Sequence, residues 1–207
     1  NFPNANVVMG TDGNDTITGT SGSDLIASFN GADTVNGLAG NDKILGGAGV
    51  DTLNGGDDND HIYGYAGADT LNGNAGNDLI YGGKDNDTID GDAGDDDLYG
   101  EAGDDTLNSG LGSDTLNGGL GDDTINVDGS GNKNIDGGAG TNTLDIDYSG
   151  ISNLGNFELS TSGDSLILTD SDSNSISFRL ISNLIVDNFT YLRVQTDKAA
   201  SPDDEEA

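Results

Sequence analysis

Thirteen aspartates recur at one interval: Asp15, Asp24, Asp33, Asp42, Asp51, Asp60, Asp69, Asp78, Asp87, Asp96, Asp105, Asp114 and Asp123 each stand nine residues from the next. Each is followed two residues later by Ile, Leu or Val, from Ile17 to Ile125, and preceded by a glycine-rich stretch such as "GGAGV" before Asp51. Carboxylates are hard oxygen donors, and the carbonyls of a glycine-rich turn are ligands of the same kind. The chemistry open to such a set is to hold a hard divalent cation, above all Ca²⁺, which takes about six to eight oxygens.

A nine-residue unit with one aliphatic buries nothing alone, so neighbouring units must stack and share a continuous core, as in a solenoid. The first six residues of the unit read as turn and the last three as a short strand. Two turns and two strands close one coil, which stacks residues 18 apart at roughly 4.8 Å. The expected fold is all-β: a solenoid of two parallel sheets with two columns of Ca²⁺-binding turns. One column runs Asp15, Asp33, Asp51, Asp69, Asp87, Asp105, Asp123 and the other Asp24, Asp42, Asp60, Asp78, Asp96, Asp114, giving six and five adjacent pairs and so eleven expected sites. Asp58 and Asp85, which replace glycine at the fourth turn position, fit because Asp tolerates left-handed dihedrals.

Bulk composition agrees. The chain of 207 residues has 38 acids against 6 bases, a formal charge of −32, 35 glycines and only 32% hydrophobic residues, so it lacks a conventional core and needs an external counter-charge. Adding the +22 of eleven Ca²⁺ to −32 leaves −10. Flanking acids such as Asp12, Asp57, Asp92, Asp95, Asp104 and Asp122 lie near the columns in sequence. So acidic a chain is a poor partner for nucleic acid or anionic membranes. The absence of Cys excludes disulfides and thiolate metal sites. No apolar run reaches the roughly 18 residues that span a bilayer, and the start "NFPNANVVMG" reads as that of a fragment or processed form. His61 is the only histidine and no acid pair stands apart, so no catalytic constellation is visible and an enzyme is not expected. "DSDSNS" (170–175) lacks the glycine and glutamate of an EF-hand and reads as a hairpin turn.

"GGAGVDTLN" (46–54), "GNAGNDLIY" (73–81) and "GGLGDDTIN" (118–126) resemble the RTX (repeats-in-toxin) nonapeptide, G-G-x-G-x-D-x-U-x, and the resemblance covers about residues 10–145. It implies a right-handed, two-sheet parallel β-roll with an ion between turns two units apart, held by both sixth-position Asp side chains, carbonyls of positions two and four of the earlier turn and carbonyls of positions one and three of the later. Between turns 46–51 and 64–69 these are Asp51, Asp69 and the carbonyls of Gly47, Gly49, Gly64 and Ala66. It also implies secretion by type I machinery that reads an uncleaved C-terminal signal, with the protein extracellular or at the cell surface. Two other expectations stay open: a cell-surface adhesin or lattice segment, and the accessory module of a secreted protease, lipase or alginate epimerase.

The pattern departs after Asp123. The next unit is ten residues long with Lys133 at the Asp position, and the following one has Asn142. Lys133 is placed to put its ammonium where an ion would sit and Asn142 to complete a weaker twelfth site with Asp123; simple degeneration of terminal repeats explains both as well. On the outer faces, Thr and Asn columns stand on one sheet, and Tyr63, Tyr81 and Tyr99 form a column on the other, a platform for a glycan or neighbouring domain, or a cross-strand support. Residues 1–9 read as a lead-in, 146–196 as a small antiparallel capping region whose apolar residues, among them Leu154, Phe157 and Phe178, close the roll, and 197–207 as an acidic disordered tail. Its strands are expected in "TLDIDYS", "NFELS", "DSLILTD", "SISFRLI" and "TYLRV".

Overall fold

The computed structural model describes residues 5–128 and 131–147, and beyond them the backbone of Phe157–Ser162, Ser165–Thr169, Ser175–Arg179, Asn183–Val186 and Leu192–Val194. Every described element is a strand, and they form two sheets. The first contains, side by side, Asn6–Met9, Asp24–Asn30, Lys43–Ala48, His61–Ala66, Leu79–Lys84, Asp97–Ala102, Thr115–Leu120 and Lys133–Asp136. The second contains Thr16–Thr18, Thr34–Ala39, Thr52–Asp57, Thr70–Ala75, Thr88–Asp90, Thr106–Asn108, Thr124–Asp128 and Thr143–Asp147. The chain alternates between sheets, so each strand lies parallel to the strand one full coil away. Leu53 pairs with Leu71 and Ile62 with Ile80, the 18-residue offset that two nine-residue units dictate.

The core is a file of aliphatics, one from each short strand. The twelve from Ile26 to Ile125 are 0% exposed, whereas Ile17, in the first coil, is 8% exposed. Val127, Ile135, Leu144 and Ile146 continue the file. Because strand side chains alternate between faces, the residues on either side of each aliphatic point outward.

Three features differ from the sequence expectation. Eight strands of the roll are six residues long, because the first glycines of the next unit stay in the ladder; in Thr52–Asp57 the turn proper shrinks to Asp58–Asp60. Stacking also runs around the corners, where Gly49 N–H donates to Ala66 O at 2.8 Å and Thr52 N–H to Asp33 O at 2.8 Å. At the start, Asn6–Met9 pairs in parallel with Asp24–Asn30, so the lead-in joins the first sheet and Val8 packs against the core.

The C-terminal strands form a mixed ending rather than a purely antiparallel one. "TLDIDYS" supplies Thr143–Asp147, parallel to Thr124–Asp128, because its Leu144 and Ile146 still face the core. Ser175–Arg179 lies parallel to Lys133–Asp136 and antiparallel to Ser165–Thr169, which is antiparallel to Phe157–Ser162. Leu192–Val194 runs parallel to Phe157–Ser162, and Asn183–Val186, a strand that the sequence reading did not foresee, extends the second sheet beside Thr143–Asp147. The packing of the capping side chains, the turn at 170–174 and the acidic tail lie outside the described residues.

Candidate metal centre

The sixth-position aspartates line the two corners of the roll, and those from Asp24 to Asp123 are 0–2% exposed. From Asp33 onward, one oxygen of each is committed to the fold. Oδ1 accepts the backbone N–H of the Asp 18 residues earlier: Asp51 N–H to Asp69 Oδ1 is 2.8 Å, Asp60 N–H to Asp78 Oδ1 is 2.7 Å, and the series runs from Asp15 N–H on Asp33 to Asp105 N–H on Asp123. The sequence thus builds two carboxylate ladders, each rung joining consecutive coils.

The other oxygen is left over. Among the described residues, Oδ2 of Asp33, Asp42, Asp51, Asp60, Asp69, Asp78, Asp87, Asp96, Asp105 and Asp123 is buried without a hydrogen-bond partner. A buried carboxylate oxygen in that position is costly unless it is compensated. Burial accordingly pushes Asp60 up to about 8, Asp69, Asp87 and Asp96 to about 7, and Asp42, Asp78 and Asp105 to about 6. The N–H bond from the neighbouring coil opposes that rise, and in Asp60, Asp69 and Asp87 adjacent carboxylates add to it.

Carbonyl oxygens converge on the same places. A Cβ added to Gly64 would lie 2.6 Å from both Asp69 Oδ2 and Gly82 O, so the first-position glycine leaves room where a carboxylate and the next coil's carbonyl approach each other. From the turn 28–33 onward, positions two and four take left-handed dihedrals. Position two keeps them even where the residue is Phe29 (φ 74°), Leu38 (85°), Tyr65 (79°) or Glu101 (73°), conformations that such side chains disfavour, as well as at Asn74 (73°) and Asp92 (62°), which tolerate them. Asp58 and Asp85, at position four, have φ of 75° and 74°, in keeping with the tolerance of Asp. Among the described residues no group of three or more His, Cys, Asp or Glu could hold a metal. Each gap offers two carboxylates and must be completed by carbonyls, a set of hard oxygens that suits Ca²⁺.

Where the C-terminal end departs from the repeat, a cation is present within the chain. Lys133 is 2% exposed, and its Nζ donates to Gly110 O at 2.8 Å, to Gly112 O at 2.9 Å and to Asp114 Oδ2. These are the carbonyls of positions two and four and the sixth-position carboxylate of the turn 109–114. The equivalent atoms in turn 46–51 belong to Gly47, Gly49 and Asp51. Gly64 O sits 2.9 Å, and Asp51 Oδ2 2.7 Å, from the point a Gly46 Cβ would occupy, while Ala66 O accepts the Gly49 N–H. Asn142 Oδ1 accepts the Asp123 N–H at 2.9 Å as an Asp would, and its Nδ2 donates to Gly138 O at 3.3 Å.

The N-terminal ends are closed differently. Asp15 Oδ2 accepts Thr11 N–H at 2.6 Å and Thr11 Oγ1–H at 3.0 Å; Asp24 Oδ2 accepts Thr20 N–H at 2.5 Å and Thr20 Oγ1–H at 3.1 Å. Thr11, Gly13, Thr20 and Gly22 are not among the residues of positive φ. Sequence reasoning missed these threonines, although Thr at position two in the first two units alone was the available signal. It also missed a second ladder at position five, where Asn59 N–H donates to Asn41 Oδ1, Asp95 N–H to Asn77 Oδ1 and Asp122 N–H to Asp104 Oδ1, all near 3.0 Å. Asp95, Asp104 and Asp122 therefore have a structural task besides their charge.

On the outer faces, Tyr63 and Tyr81 stack with centroids 5.2 Å apart and Tyr81 and Tyr99 at 4.8 Å, with planes within 7° and 10° of parallel. Lys43 Nζ lies 5.0 Å from the Tyr63 ring centroid. Tyr81 has a neighbouring ring on each face, so a ligand there would meet ring edges. On the opposite sheet Asn72 donates to Asn54 and Asn126 to Asn108, each at 2.8 Å, so part of the Thr/Asn surface is bonded to itself. His61 is exposed at the start of its strand, in register with Lys43 and Leu79.

The family model for the RTX calcium-binding nonapeptide repeat, four copies long, matches residues 3–28, 9–44, 27–62, 45–80, 63–98, 72–107 and 90–125. No curated protein matches the chain. No helix among the described residues is long and apolar enough to cross a membrane.

Proposed function

From the premise that the chain belongs to the RTX calcium-binding nonapeptide repeat family and is a calcium-binding repeat module, we propose that calcium is the missing part of its core. The observation that carries this reading is the set of ten buried Oδ2 atoms without partners. Bound Ca²⁺ would supply the positive charge that these oxygens lack. The residues that would hold it are the sixth-position aspartates, each with carbonyls equivalent to those of Gly47, Gly49, Gly64 and Ala66.

Without the ion, some 38 acids and 35 glycines favour the open chain, so binding free energy becomes folding free energy. The family is typical of secreted bacterial proteins, and the module would stay open at the low free calcium of a cytoplasm, pass a type I exporter in that form and fold in millimolar external calcium. Far-UV circular dichroism during titration of the metal-free chain with CaCl₂ tests this. A steep gain of β signal, absent with MgCl₂ because Mg²⁺ resists dehydration and demands tighter geometry, is expected. A full β signal already present in chelator would overturn it.

A further inference from the structure

We infer that Lys133 is a tethered cation that holds the gap between the turn 109–114 and the strand Lys133–Asp136 one coil on in place of calcium, so that this gap closes without metal. The inference rests on the calcium reading of the other gaps and adds to it a residue that fixes where the second column stops.

An ammonium has three N–H donors and no acceptor. At Lys133 all three are matched, to Gly110 O, Gly112 O and Asp114 Oδ2, and the side chains of the ion pair are 1% and 0% exposed. A lysine is seldom buried so fully unless it is paired, and an unpaired one would lose its proton instead. The pocket that receives it was made by the preceding turn. Gly110 and Gly112 have positive φ (66° and 128°), like positions two and four of the regular turns, and both carbonyls are within hydrogen-bond reach of the Lys133 ammonium.

The charge also balances. A regular gap is bounded by two aspartates, whereas here the later one is replaced by lysine, leaving the single carboxylate of Asp114 opposite a single positive charge. Asp114 Oδ2 is accordingly missing from the buried oxygens without partners, while Oδ2 of Asp96, one coil earlier, is among them. Burial raises the Asp114 carboxyl, and the Lys133 bond opposes that rise. Degeneration of a terminal repeat would not by itself bring an ammonium onto the three oxygens that the equivalent gaps direct at their ion.

The test counts calcium bound per full-length chain at saturating CaCl₂, by equilibrium dialysis, in the wild type and in Lys133→Asp. The variant restores the sixth-position carboxylate and should bind one ion more than the wild type, with the same β signal at saturation. An unchanged count in a folded variant would overturn the inference. If Lys133→Asp does not fold, the wild type still decides. Amine acetylation of the calcium-loaded chain, mapped by mass spectrometry, should modify Lys43 and Lys84 and spare Lys133 at least tenfold; equal labelling would overturn the inference. A wild type that binds no calcium would instead sink the reading of the whole module.

Discussion

In the turn 64–69, Asp69 Oδ2 is buried with nothing to bond and Tyr65 is held at φ 79°. In the turn 19–24, Asp24 is just as buried, yet its Oδ2 receives both the N–H and the hydroxyl of Thr20, which has no positive φ. At the other end of that column, Asp114 Oδ2 receives the ammonium of Lys133. The same nine-residue frame therefore produces two kinds of corner. Interior turns hold a buried carboxylate oxygen with no donor in the chain, whereas the turns 10–15 and 19–24 and the C-terminal end of the second column have donors from the chain itself. On the proposed calcium reading, the unsatisfied interior oxygens are where the ion would sit.

The most severe way to break this contrast is to remove interior carboxylates. Asp69→Ala with Asp87→Ala takes both aspartates from the gap between them and one from the gap on either side, and the calcium midpoint of folding should rise by at least roughly tenfold, about 1.4 kcal/mol in binding terms. An unchanged midpoint in a dichroism titration would remove the aspartates from the site. Next in size is the core between the columns. Ile62→Ala, at a 0% exposed position, should destabilise the calcium-loaded roll by about 2–5 kcal/mol in chemical denaturation. Val8→Ala, at the edge of the file, should cost much less. Similar losses at both sites would contradict a core centred on the interior coils.

Protons sharpen the contrast. Burial raises the interior carboxyls above their ordinary 3.8, Asp60 to about 8 and Asp69, Asp87 and Asp96 to about 7. The metal-free folded state therefore binds more protons than the unfolded chain between about pH 4 and 8, and its stability falls as pH rises through that window. In chelator, β signal should be greater at pH 5 than at pH 8. Calcium must displace the same protons, so its apparent affinity should weaken below about pH 7, and a calcium midpoint equal at pH 6 and pH 8 would contradict this. The smallest effect is expected at an end: Thr20→Val removes one hydroxyl donor to Asp24 and should cost about 1 kcal/mol or less in the calcium-loaded protein, with the calcium midpoint moving less than twofold.

Much of this could be read without coordinates because a unit repeated thirteen times leaves few arrangements. The step of nine made each Asp a corner and each following aliphatic a core residue, and the two-unit coil set the register that pairs Leu53 with Leu71. The glycines signalled left-handed turns, and Asp58 and Asp85 fell where Asp tolerates them. Strand lengths were less legible, since a glycine pair looks like turn in sequence although it stays in the ladder when another coil stacks on it. The C-terminal strands were legible as strands but not in their direction, because alternation shows which face is apolar and not which neighbour will accept the edge.

The sequence by itself determined the period, the two columns, the aliphatic file and the kind of cation, because each is a local property that the repeat enforces over and over. Only the tertiary structure decided how the columns end. Lys133 finds its partners 19 to 23 residues back along the chain, and Thr11 and Thr20 bond the aspartates of their own turns. An end occurs once, so no repetition announces its partner; stacking determines which oxygens lie within reach.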